Sequence, residues 1–229
     1  MALISLIVPT FNEADNLETL VERVFKTVRE KKLDLELVVV DDNSPDGTAR
    51  LAEKLAKKYP IKVIVRTKDK GLSPAVVEGF NKTDSEIIGV IDADLSHPPE
   101  KIPELIKALE SADVAVASRL MKGGGVEEWP FSRRLISIGA TLLARPLTNC
   151  SDPMSGFFFL RRSVIKNAKL NPLGYKILLE ILVKGDFKKM SETPYVFQNR
   201  TVGKSKLNIR TNIQYVEHLL RLYRFKFFS

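Results

Sequence analysis

Short apolar runs alternate with segments of helical periodicity along the first half of the chain. Five of these runs have the length and composition of buried strands, at residues 4–8, 35–40, 61–65, 87–91 and 113–118. Between them the pattern predicts helices over residues 15–29, 49–58, 73–80 and 99–109. Nearly continuous apolar strands are typical of parallel sheets that are buried on both faces. The alternation therefore predicts an α/β fold with a mostly parallel central sheet flanked by helices.

The second half of the chain is less regular. Residues 121–125 contain three consecutive glycines and predict a mobile loop. A helix, a strand, a helix and a strand are then predicted, in that order, at residues 135–144, 157–160, 176–183 and 195–197. Residues 215–228 mix Leu, Tyr and Phe with basic residues and predict an amphipathic helix. Such a helix either packs on the domain or lies on a membrane surface, and the pattern leaves both open.

Charge is distributed unevenly between the two halves. The formal net charge of +8 combines −5 over residues 1–115, with 16 Lys and Arg against 21 Asp and Glu, and +13 over residues 116–229, with 20 against 7. A basic half attracts anionic partners, which could be nucleic acid, an anionic membrane or phosphorylated substrates. The sequence contains no recognition helix or aromatic RNA-binding motif, so nucleic acid is the least favoured of the three.

Composition limits the domain count and the cellular setting. At 229 residues, 44% hydrophobic and 28% charged, the chain fits one large globular domain or two small ones. Cys150 is its one cysteine, so no internal disulfide forms and a reducing compartment is expected. No apolar run reaches the roughly 18–20 residues that span a bilayer, and we expect neither a membrane span nor a signal peptide.

Polar clusters follow three of the predicted strands, at residues 9–13, 41–46 and 92–96. In parallel α/β sheets, ligands bind beyond the carboxyl ends of the strands, where such clusters meet. Asp92 and Asp94 alternate along an extended chain and therefore point the same way. Acidic residues at a strand end can simply meet water, but two converging carboxylates also suit Mg²⁺ or Mn²⁺ completed by substrate phosphates. Three clusters together predict a cleft for a nucleotide and a divalent cation.

Motifs within these clusters resemble those of a known enzyme family. The stretches VPTFNE at 8–13, VVDDNSPDGT at 39–48 and DAD at 92–94 are similar to family 2 glycosyltransferases of GT-A fold. A closer resemblance is to the dolichyl-phosphate (polyprenyl-phosphate) mannose synthases. It rests on KGLS at 70–73, DADLSHPP at 92–99, SR at 118–119, WPF at 129–131, SGF at 155–157 and the basic stretch 200–206. The resemblance covers nearly the whole chain, to about residue 222.

The resemblance implies roles for particular residues. A nucleotide sugar would be held by Pro9, Phe11, Glu13, Val40, Asp42, Asp92, Ala93, Asp94, Arg119, Lys176, Arg200 and Lys206. The metal ligands would be Asp92, Asp94 and Ser96, and the acceptor phosphate would be held by Arg119, Arg133 and Ser137. Catalysis would depend chiefly on Asp94, Arg119, Arg133 and Arg200. Relatives have either Gln or Ser where Ser96 stands, which leaves direct and water-mediated ligation as alternatives.

The resemblance also implies an activity and a location. The chain would be an inverting, metal-dependent enzyme that moves mannose from GDP-mannose to dolichyl or polyprenyl phosphate. Transfer from UDP-glucose or another nucleotide sugar is the alternative within the same class. A nucleic-acid-binding module and an inactive membrane-binding subunit are alternatives from other classes. The enzyme would work at the cytoplasmic face of a membrane, either as a peripheral protein or through a partner subunit or a segment absent from this chain.

A division of the chain follows from the same resemblance. Residues 1–212 would form the GT-A catalytic domain, with a nucleotide-binding half at 1–118 and an acceptor half at 119–212. A basic amphipathic segment at 213–229 would follow it, close to the membrane.

The chemistry of a phosphate acceptor predicts that no general base is required. A phosphate monoester, with a second pKa of about 6, is already deprotonated near neutral pH. Catalysis is then assigned to positioning and to electrostatic stabilisation. His97, beside the carboxylate pair, is either a ligand or base, or a structural residue of the turn formed by Pro98 and Pro99. We favour the structural role and expect its replacement to be mild.

Overall fold

A computed structural model describes residues 3–127, 130–171, 173–198 and 209–228. The strands of this part of the chain are β1 (Ile4–Thr10), β2 (Leu35–Asp41), β3 (Ile61–Val65), β4 (Ile87–Val90), β5 (Val114–Ser118), β6 (Gly125–Val126), β7 (Phe158–Arg161), β8 (Met190–Pro194) and β9 (Val196–Phe197). Its α-helices are α1 (Ala14–Glu30), α2 (Thr48–Leu55), α3 (Leu72–Asn81), α4 (Ile102–Ala108), α5 (Phe131–Ala144), α6 (Ile177–Lys184) and α7 (Ile209–Phe228). Short 3₁₀ helices cover Pro99–Lys101 and Arg162–Ile165.

Seven strands form one sheet, in the order β3-β2-β1-β4-β7-β5-β8. β7 runs antiparallel to β4 and to β5, and the other neighbouring pairs are parallel. The register pairs Thr10 with Asp41 and Ile7 with Val90, so the carboxyl ends of β1, β2 and β4 lie side by side. The predicted mostly parallel sheet is confirmed, with one antiparallel strand that the pattern did not predict.

Helices cover both faces of this sheet because successive strand residues are apolar on both sides. Along β1, Leu6 packs with residues of α1, α2 and α4 in one buried cluster. The next residue, Ile7, belongs to a second cluster on the opposite face, together with Val76 of α3 and Ile181 of α6. Two apolar layers therefore hold the sheet and leave its carboxyl end for polar loops.

Three local differences separate the structure from the predicted elements. β8 was not predicted, because Met190–Pro194 is polar and only half-buried, and it becomes a strand by pairing with β5. Gly125 lies in the segment predicted as a mobile loop but begins β6, which pairs in parallel with β9. Helix α7 begins at Ile209, inside the range assigned to the acceptor half.

Helices α5 and α7 pack against each other. The hydroxyl of Tyr215 donates to the carbonyl of Ala140 (2.6 Å), and the hydroxyl of Tyr223 donates to the carbonyl of Leu143 (2.8 Å). A third apolar cluster joins the two helices to α6 through Ala144, Leu147, Met154, Leu179, Leu219 and Leu222. The terminal helix is thus packed on the domain, one of the two outcomes that the sequence left open.

The outer surfaces of these two helices are apolar, and we call them the α5–α7 face. Its exposed side chains are Leu135, Ile136, Ile138, Leu142, Leu143, Ile213, Val216, Leu220, Phe225, Phe227 and Phe228. Exposed charged residues beside them are Arg145, Glu217, Arg221, Arg224 and Lys226. None of the helices in the described ranges combines the length and the apolarity needed to cross a membrane.

Candidate functional site

The polar clusters that follow β1 and β2 meet at the carboxyl end of the sheet, as the sequence predicted. The backbone N–H of Asp42 donates to the carbonyl of Thr10 (3.0 Å) and extends the strand pairing into the loops. The buried carboxylate of Asp41 accepts hydrogen bonds from Thr10 Oγ1 (2.8 Å) and from the N–H and hydroxyl of Ser44 (2.8 and 2.6 Å). These bonds hold the loop after β2 beside the end of β1.

The same loop is tied to the start of α1. Asp46 accepts hydrogen bonds from the backbone N–H of Ala14 (3.1 Å) and from the N–H and hydroxyl of Thr48 (2.9 and 2.6 Å). Burial alone would raise the pKa of Asp46, but the hydrogen bonds from Thr48 and Ala14 outweigh it and lower that pKa. Asp46 is therefore a charged acceptor that fixes two helix starts.

The residues predicted to hold the nucleotide differ in accessibility. Pro9 and Val40 are partners in the β1–β2 register, and both are buried. Phe11 is exposed at the carboxyl end of the sheet, and the ammonium group of Lys70 lies 5.8 Å from its ring centroid. Glu13 is half-buried at the start of α1. Phe11 thus presents an aromatic ring at this end of the sheet, whereas Pro9 and Val40 support it from within.

Asp42 is held by two groups that the sequence did not connect to it. Arg66 Nη1 donates to Asp42 Oδ1 (2.6 Å), and the backbone N–H of Gly71 donates to Oδ2 (2.6 Å). Gly71 has a φ of +142°, a conformation that L side chains rarely adopt, so glycine is needed at this position. The KGLS motif at 70–73 therefore serves to place a backbone donor against Asp42.

Asp92 and Asp94 follow β4 at the same end of the sheet. The N–H of Ile91 donates to the carbonyl of Ile7 (3.1 Å), which continues the pairing of β4 with β1 up to the first carboxylate. Gly156 approaches Asp92 so closely that a Cβ atom there would lie 2.5 Å from Asp92 Oδ2. A side chain at position 156 would displace this carboxylate, which gives the SGF motif at 155–157 a physical reason.

The turn after Asp92 buries the second carboxylate and a hydroxyl. Ala93 and Asp94 are buried, and Asp94 Oδ1 accepts a hydrogen bond from the N–H of Ser96 (3.1 Å). Leu95 adopts a left-handed φ of +61°, which folds the chain back over Asp94. Ser96 Oγ is buried and has no hydrogen-bond partner among the described residues. A buried hydroxyl in this position fits an additional ligand at the turn.

The oxygen donors of this turn fit a hard divalent cation. In the described ranges, no three His, Cys, Asp or Glu side chains gather as a metal cage. Two carboxylates and a hydroxyl leave coordination positions for phosphate oxygens and water, which is the arrangement that Mg²⁺ uses with nucleotide substrates. The residues therefore fit Mg²⁺ or Mn²⁺ shared with a bound diphosphate, and they do not fit a closed structural metal site.

His97 is buried beside Asp92. Its Nε2 lies 3.2 Å from Asp92 Oδ2, and its ring is surrounded by Phe157, Tyr195 and Phe197 at centroid distances of 5.6, 5.4 and 5.5 Å. The sequence interpretation of His97 as a residue of the proline turn did not include this contact with the first carboxylate.

A buried ion pair lies near Asp92. Arg119, directly after β5, donates from Nε and Nη2 to the two carboxylate oxygens of Asp152 (2.7 Å each), and its backbone N–H donates to Oδ2 (3.0 Å). Burial alone would lower the pKa of Arg119 and raise that of Asp152. The paired hydrogen bonds outweigh it, so the pKa of Arg119 is raised and that of Asp152 is lowered. Both groups are therefore charged and fixed in a bidentate geometry.

Lys176 lies in the same electrostatic environment. Burial lowers the pKa of Lys176 from 10.5 to about 8, and the positive charges of Arg119 and Arg133 act in the same direction. The carboxylates of Asp152 and Asp92 oppose this shift. Lys176, just before α6, therefore lies close enough to Arg119, after β5, and to Arg133, on α5, to interact with both electrostatically. The roles of these three residues toward substrate phosphates stay predictions.

Ser137 lies one turn after Arg133 on α5, and both residues are half-buried. The carbonyl of Ser137 accepts a hydrogen bond from Thr141 Oγ1 (2.9 Å) within the same helix. A spacing of four residues places Ser137 and Arg133 on the same face of α5. The role of Ser137 toward the acceptor stays a prediction.

Arg200 and Lys206 lie outside the described residues, as does Trp129. Gln198, the last described residue before Arg200, donates its N–H to the carbonyl of Ser96 (3.1 Å). The preceding residue, Phe197, lies under the Arg119 guanidinium at 5.5 Å from ring centroid to Cζ.

Sequence reasoning missed several residues of this site, chiefly Arg66, Asp152, Gly156 and Tyr195 as direct contacts of the predicted residues. Asp152 pairs with Arg119 across 33 positions of sequence, and Arg66 pairs with Asp42 across 24. No local pattern encodes such distant pairs. The SGF motif shared with the family contains Gly156, and Asp152 lies just before that motif, so the sequence did point to this segment.

Comparison with known proteins gives the family. The sequence model of Glycosyl transferase family 2 matches residues 5–168. Relatives named dolichol-phosphate mannosyltransferase, from Pyrococcus furiosus and Saccharomyces cerevisiae, are 48% and 41% identical over 97% of this chain. A third relative of that name, from Mycosarcoma maydis, is also 41% identical over 97% of the chain. The chain spans 64%, 88% and 80% of the lengths of these three relatives, respectively.

Solved structures share the fold. A glucosyl-3-phosphoglycerate synthase from Mycobacterium tuberculosis, crystallised with Mn²⁺, UDP and glucosyl-3-phosphoglycerate, aligns with a TM-score of 0.71 at 18% identity over 98% of this chain and 80% of that one. A mannosyl-3-phosphoglycerate synthase from Rubrobacter xylanophilus aligns with a TM-score of 0.72 at 19% identity over 97% of this chain and 74% of that one. With the family match and these relatives, the chain belongs to glycosyl transferase family 2 and has the GT-A fold.

Proposed function

We propose that this glycosyltransferase moves mannose from GDP-mannose to dolichyl phosphate or another polyprenyl phosphate. The observation that carries the proposal is that Lys176 lies within electrostatic reach of both Arg119 and Arg133 and of Asp92, the first carboxylate after β4. Such a site matches a reaction in which a nucleotide diphosphate meets a second phosphate. Relatives at 41–48% identity that are named for this transfer add support.

The donor nucleotide would lie across the loops after β1 and β2. Phe11 would stack against the base, since its ring is exposed beside the strand ends. Asp42 would accept hydrogen bonds from the base or the ribose, either in addition to those from Arg66 and Gly71 or in place of them. Backbone groups of the strand ends at Pro9 and Val40 would line the pocket. Glu13 would complete it, from the start of α1.

The diphosphate would lie over the turn after β4. Asp92, Asp94 and Ser96 would hold Mg²⁺ or Mn²⁺ there, directly or through water at Ser96. Such a cation supplies Lewis-acid stabilisation of the negative charge on the departing nucleotide. Asp92 and Ala93 would also place the ribose and the diphosphate. The fold neighbour crystallised with Mn²⁺ and UDP adds support for a divalent cation.

The acceptor phosphate would be held by the basic side of the site. Arg119 would present a guanidinium whose position is set by Asp152, and the paired bonds to Asp152 leave it charged under all ordinary conditions. Arg133, Lys176 and Ser137 would contact the same phosphate or its neighbour. Arg200 and Lys206 would add charge from the segment after β9. Together these groups would offset the repulsion between two anionic substrates.

The transfer itself requires no proton acceptor on the enzyme. An oxygen of the acceptor phosphate forms a bond to the anomeric carbon of the sugar, while the bond from that carbon to the diphosphate oxygen breaks. Attack opposite the leaving group inverts the anomeric centre. The acceptor enters already deprotonated, because the second pKa of a phosphate monoester is about 6. The enzyme's residues therefore contribute by orienting the two phosphates and stabilising their charge.

Membrane association of the enzyme would use the α5–α7 face. The acceptor's prenyl chain resides in a bilayer, and α5 carries both Arg133 of the site and five exposed apolar side chains. Arg145, Arg224 and Lys226 beside this face would interact with anionic headgroups. The enzyme would then sit on the membrane as a peripheral protein, at its cytoplasmic face, with or without a partner subunit.

A donor competition assay tests this proposal. Radiolabelled GDP-mannose, UDP-glucose and UDP-mannose are each supplied with polyprenyl phosphate vesicles and Mn²⁺, and label in the lipid extract is counted. The proposal predicts transfer from GDP-mannose well above the other two. Preferential transfer from UDP-glucose would replace the mannose assignment, and no transfer from any donor would contradict the proposed reaction class.

A further inference from the structure

His97 occupies a buried position between the first carboxylate and a cage of aromatic rings. Its side chain is 2% exposed, and Nε2 lies 3.2 Å from Asp92 Oδ2. The Asp92 side chain is about a quarter exposed, whereas His97, which contacts its Oδ2, is buried. A histidine in such a position can fix the direction of the carboxylate without meeting substrate.

The surroundings of the ring favour one tautomer. Nδ1 is buried and has no hydrogen-bond partner among the described residues. A proton on Nδ1 would therefore be buried without an acceptor, which costs about 1 to 3 kcal/mol for a polar group. A proton on Nε2 instead points to Asp92 Oδ2 and forms a hydrogen bond. The geometry makes His97 the donor and Asp92 the acceptor.

The cage fixes the ring and belongs to the site. Phe157 comes from the SGF motif, while Tyr195 and Phe197 lie at β9, directly before the basic segment. The Arg119 guanidinium also lies over the Phe197 ring in a cation–π contact. His97 therefore connects the carboxylate side of the site with its basic side through packed rings.

Close packing against Gly156 also restricts the position of the Asp92 carboxylate. Because a Cβ at position 156 would lie 2.5 Å from Asp92 Oδ2, the carboxylate is closely packed against the backbone there. The same oxygen is the one that His97 contacts. Asp92 Oδ2 thus lies between His97 Nε2 and the backbone of Gly156, and these two contacts restrict rotation of the carboxylate.

We propose that His97 is a positioning residue that donates its Nε2–H to Asp92 and so fixes the carboxylate for the nucleotide–metal complex. This inference rests on the proposed function of Asp92 and extends it by a group that does not touch substrate. Hydrogen-bonding partners of metal-ligating groups change metal affinity or activity by about 10- to 100-fold when they are removed. An effect of that size replaces the mild one expected from the sequence.

Two variants separate the hydrogen bond from the packing. His97→Gln keeps an N–H donor at about the reach of Nε2, whereas His97→Leu keeps apolar volume and removes the donor. Binding of Mn²⁺ in the presence of GDP, without sugar or acceptor, is measured by electron paramagnetic resonance. We expect His97→Leu to weaken Mn²⁺ binding by about 10- to 100-fold and His97→Gln to remain close to the unchanged protein. Val24→Ala, a buried change in α1 far from the site, controls for a general loss of stability.

Each outcome of this experiment has a distinct meaning. If the unchanged protein does not bind Mn²⁺ with GDP, the proposed nucleotide–metal site is wrong. If the unchanged protein binds and both His97 variants bind equally well or equally poorly, the donor role is overturned. Should His97→Leu fail to fold, ¹⁵N NMR of the imidazole ring in the unchanged protein decides the matter. A proton on Nε2, alone or together with one on Nδ1, supports the proposal, and a ring protonated on Nδ1 alone overturns it.

Discussion

Individual side chains give the site two regions of opposite charge. Asp92 and Asp94 follow β4, whereas Arg119 pairs with the buried Asp152, and Lys176 interacts electrostatically with both of them and with Asp92. The proposed nucleotide diphosphate would meet both regions, because its cation needs carboxylates and its oxygens need basic donors. The second phosphate, on the acceptor, needs only the basic region. The arrangement therefore suits a reaction between two phosphate-bearing substrates.

Replacing Asp94 tests the carboxylate region. Asp94→Ala is expected to lower metal-dependent turnover by about a thousandfold, since a catalytic cation supplies several kcal/mol of charge stabilisation. The fold should remain, because Asp94 lies in a loop at the end of the sheet. Turnover is measured against Mn²⁺ concentration, with circular dichroism as a check on folding. Asp84→Ala, an exposed carboxylate before the amino end of β4, is the control and should act like the unchanged protein. Full activity of Asp94→Ala would refute the metal role.

Deprotonation of Lys176 is expected to reduce activity at alkaline pH. Its pKa is lowered from 10.5 to about 8, chiefly by burial, so the ammonium group loses its proton as the pH rises through 8. A lysine that holds phosphate then loses its positive charge, and kcat/KM for the acceptor should fall above that pH. Below a pH of about 6 the acceptor phosphate is protonated, so the profile should be bell-shaped.

Lys176→Arg is the matched control for this prediction, because arginine stays charged throughout the range. The alkaline limb should disappear or move upward in this variant, while the acid limb stays in place. An alkaline limb that is the same in both proteins would assign it to another group.

The positions of some individual site residues could be predicted from local sequence. Asp92 and Asp94 could be placed on one side of a strand end because alternation along a strand is a local rule. The pairing of Arg119 with Asp152 could not be, because it depends on how β5 and the segment before β7 meet in the sheet. The same is true of His97, whose cage is assembled from residues 157, 195 and 197.

Strands and helices decide how firmly the site is held. The Arg119–Asp152 pair joins the end of β5 to the loop before β7, and its side chains are 10% and 0% exposed. The apolar clusters on the two faces of the sheet fix the strands themselves. The position of the Arg119 guanidinium is therefore determined by two elements rather than by one flexible loop.

Breaking this pair should be costly. Asp152→Asn is expected to lower the free energy of unfolding by about 3 to 5 kcal/mol, because it leaves the buried Arg119 charge uncompensated. Urea denaturation measures the change. The control is Glu100→Gln, which breaks the exposed Arg23–Glu100 pair and should cost at most about 1 kcal/mol. Equal losses in the two variants would mean that water compensates Arg119.

Membrane binding by the α5–α7 face can be tested by changing its exposed leucines. Leu142 and Leu220 are 63% and 66% exposed, so changing both to Glu should leave the fold intact. Burial of each leucine in a bilayer interface is worth about 1.5 to 3 kcal/mol, so the double variant should bind anionic vesicles more than about tenfold more weakly. Flotation with vesicles of phosphatidylserine and phosphatidylcholine measures this. Leu3→Glu, an exposed leucine before β1, is the control, and an equal loss in it would contradict docking by this face.

The elements themselves were largely predictable from periodicity. Strands such as β1 and β3 are mostly apolar, and their pattern does not depend on their neighbours. β8 and β6 escaped prediction because Met190–Pro194 is polar and Gly125–Val126 is short. Both become strands only through their partners, β5 and β9, which no local pattern contains.

The whole molecule combines two halves of opposite charge in one sheet. Residues 1–115 carry −5 and residues 116–229 carry +13, yet β7 from the basic half pairs with β4 from the acidic half, and β5, which spans the boundary, lies between β7 and β8. This strand order joins the polar loops of the first half and the basic residues of the second half through one sheet. The charge asymmetry was visible in the sequence, whereas the strand order that unites the halves was not.

In the proposed reaction an acceptor phosphate, and not a hydroxyl, receives the sugar. The most direct test supplies radiolabelled GDP-mannose with a polyprenyl phosphate or with the polyprenol of the same chain length, at equal concentration in vesicles with Mn²⁺. We expect labelled lipid with the phosphate and none with the alcohol, because the proposed transfer uses phosphate-binding groups and an acceptor that is already deprotonated. Comparable transfer to the alcohol, or none to the phosphate, would contradict it.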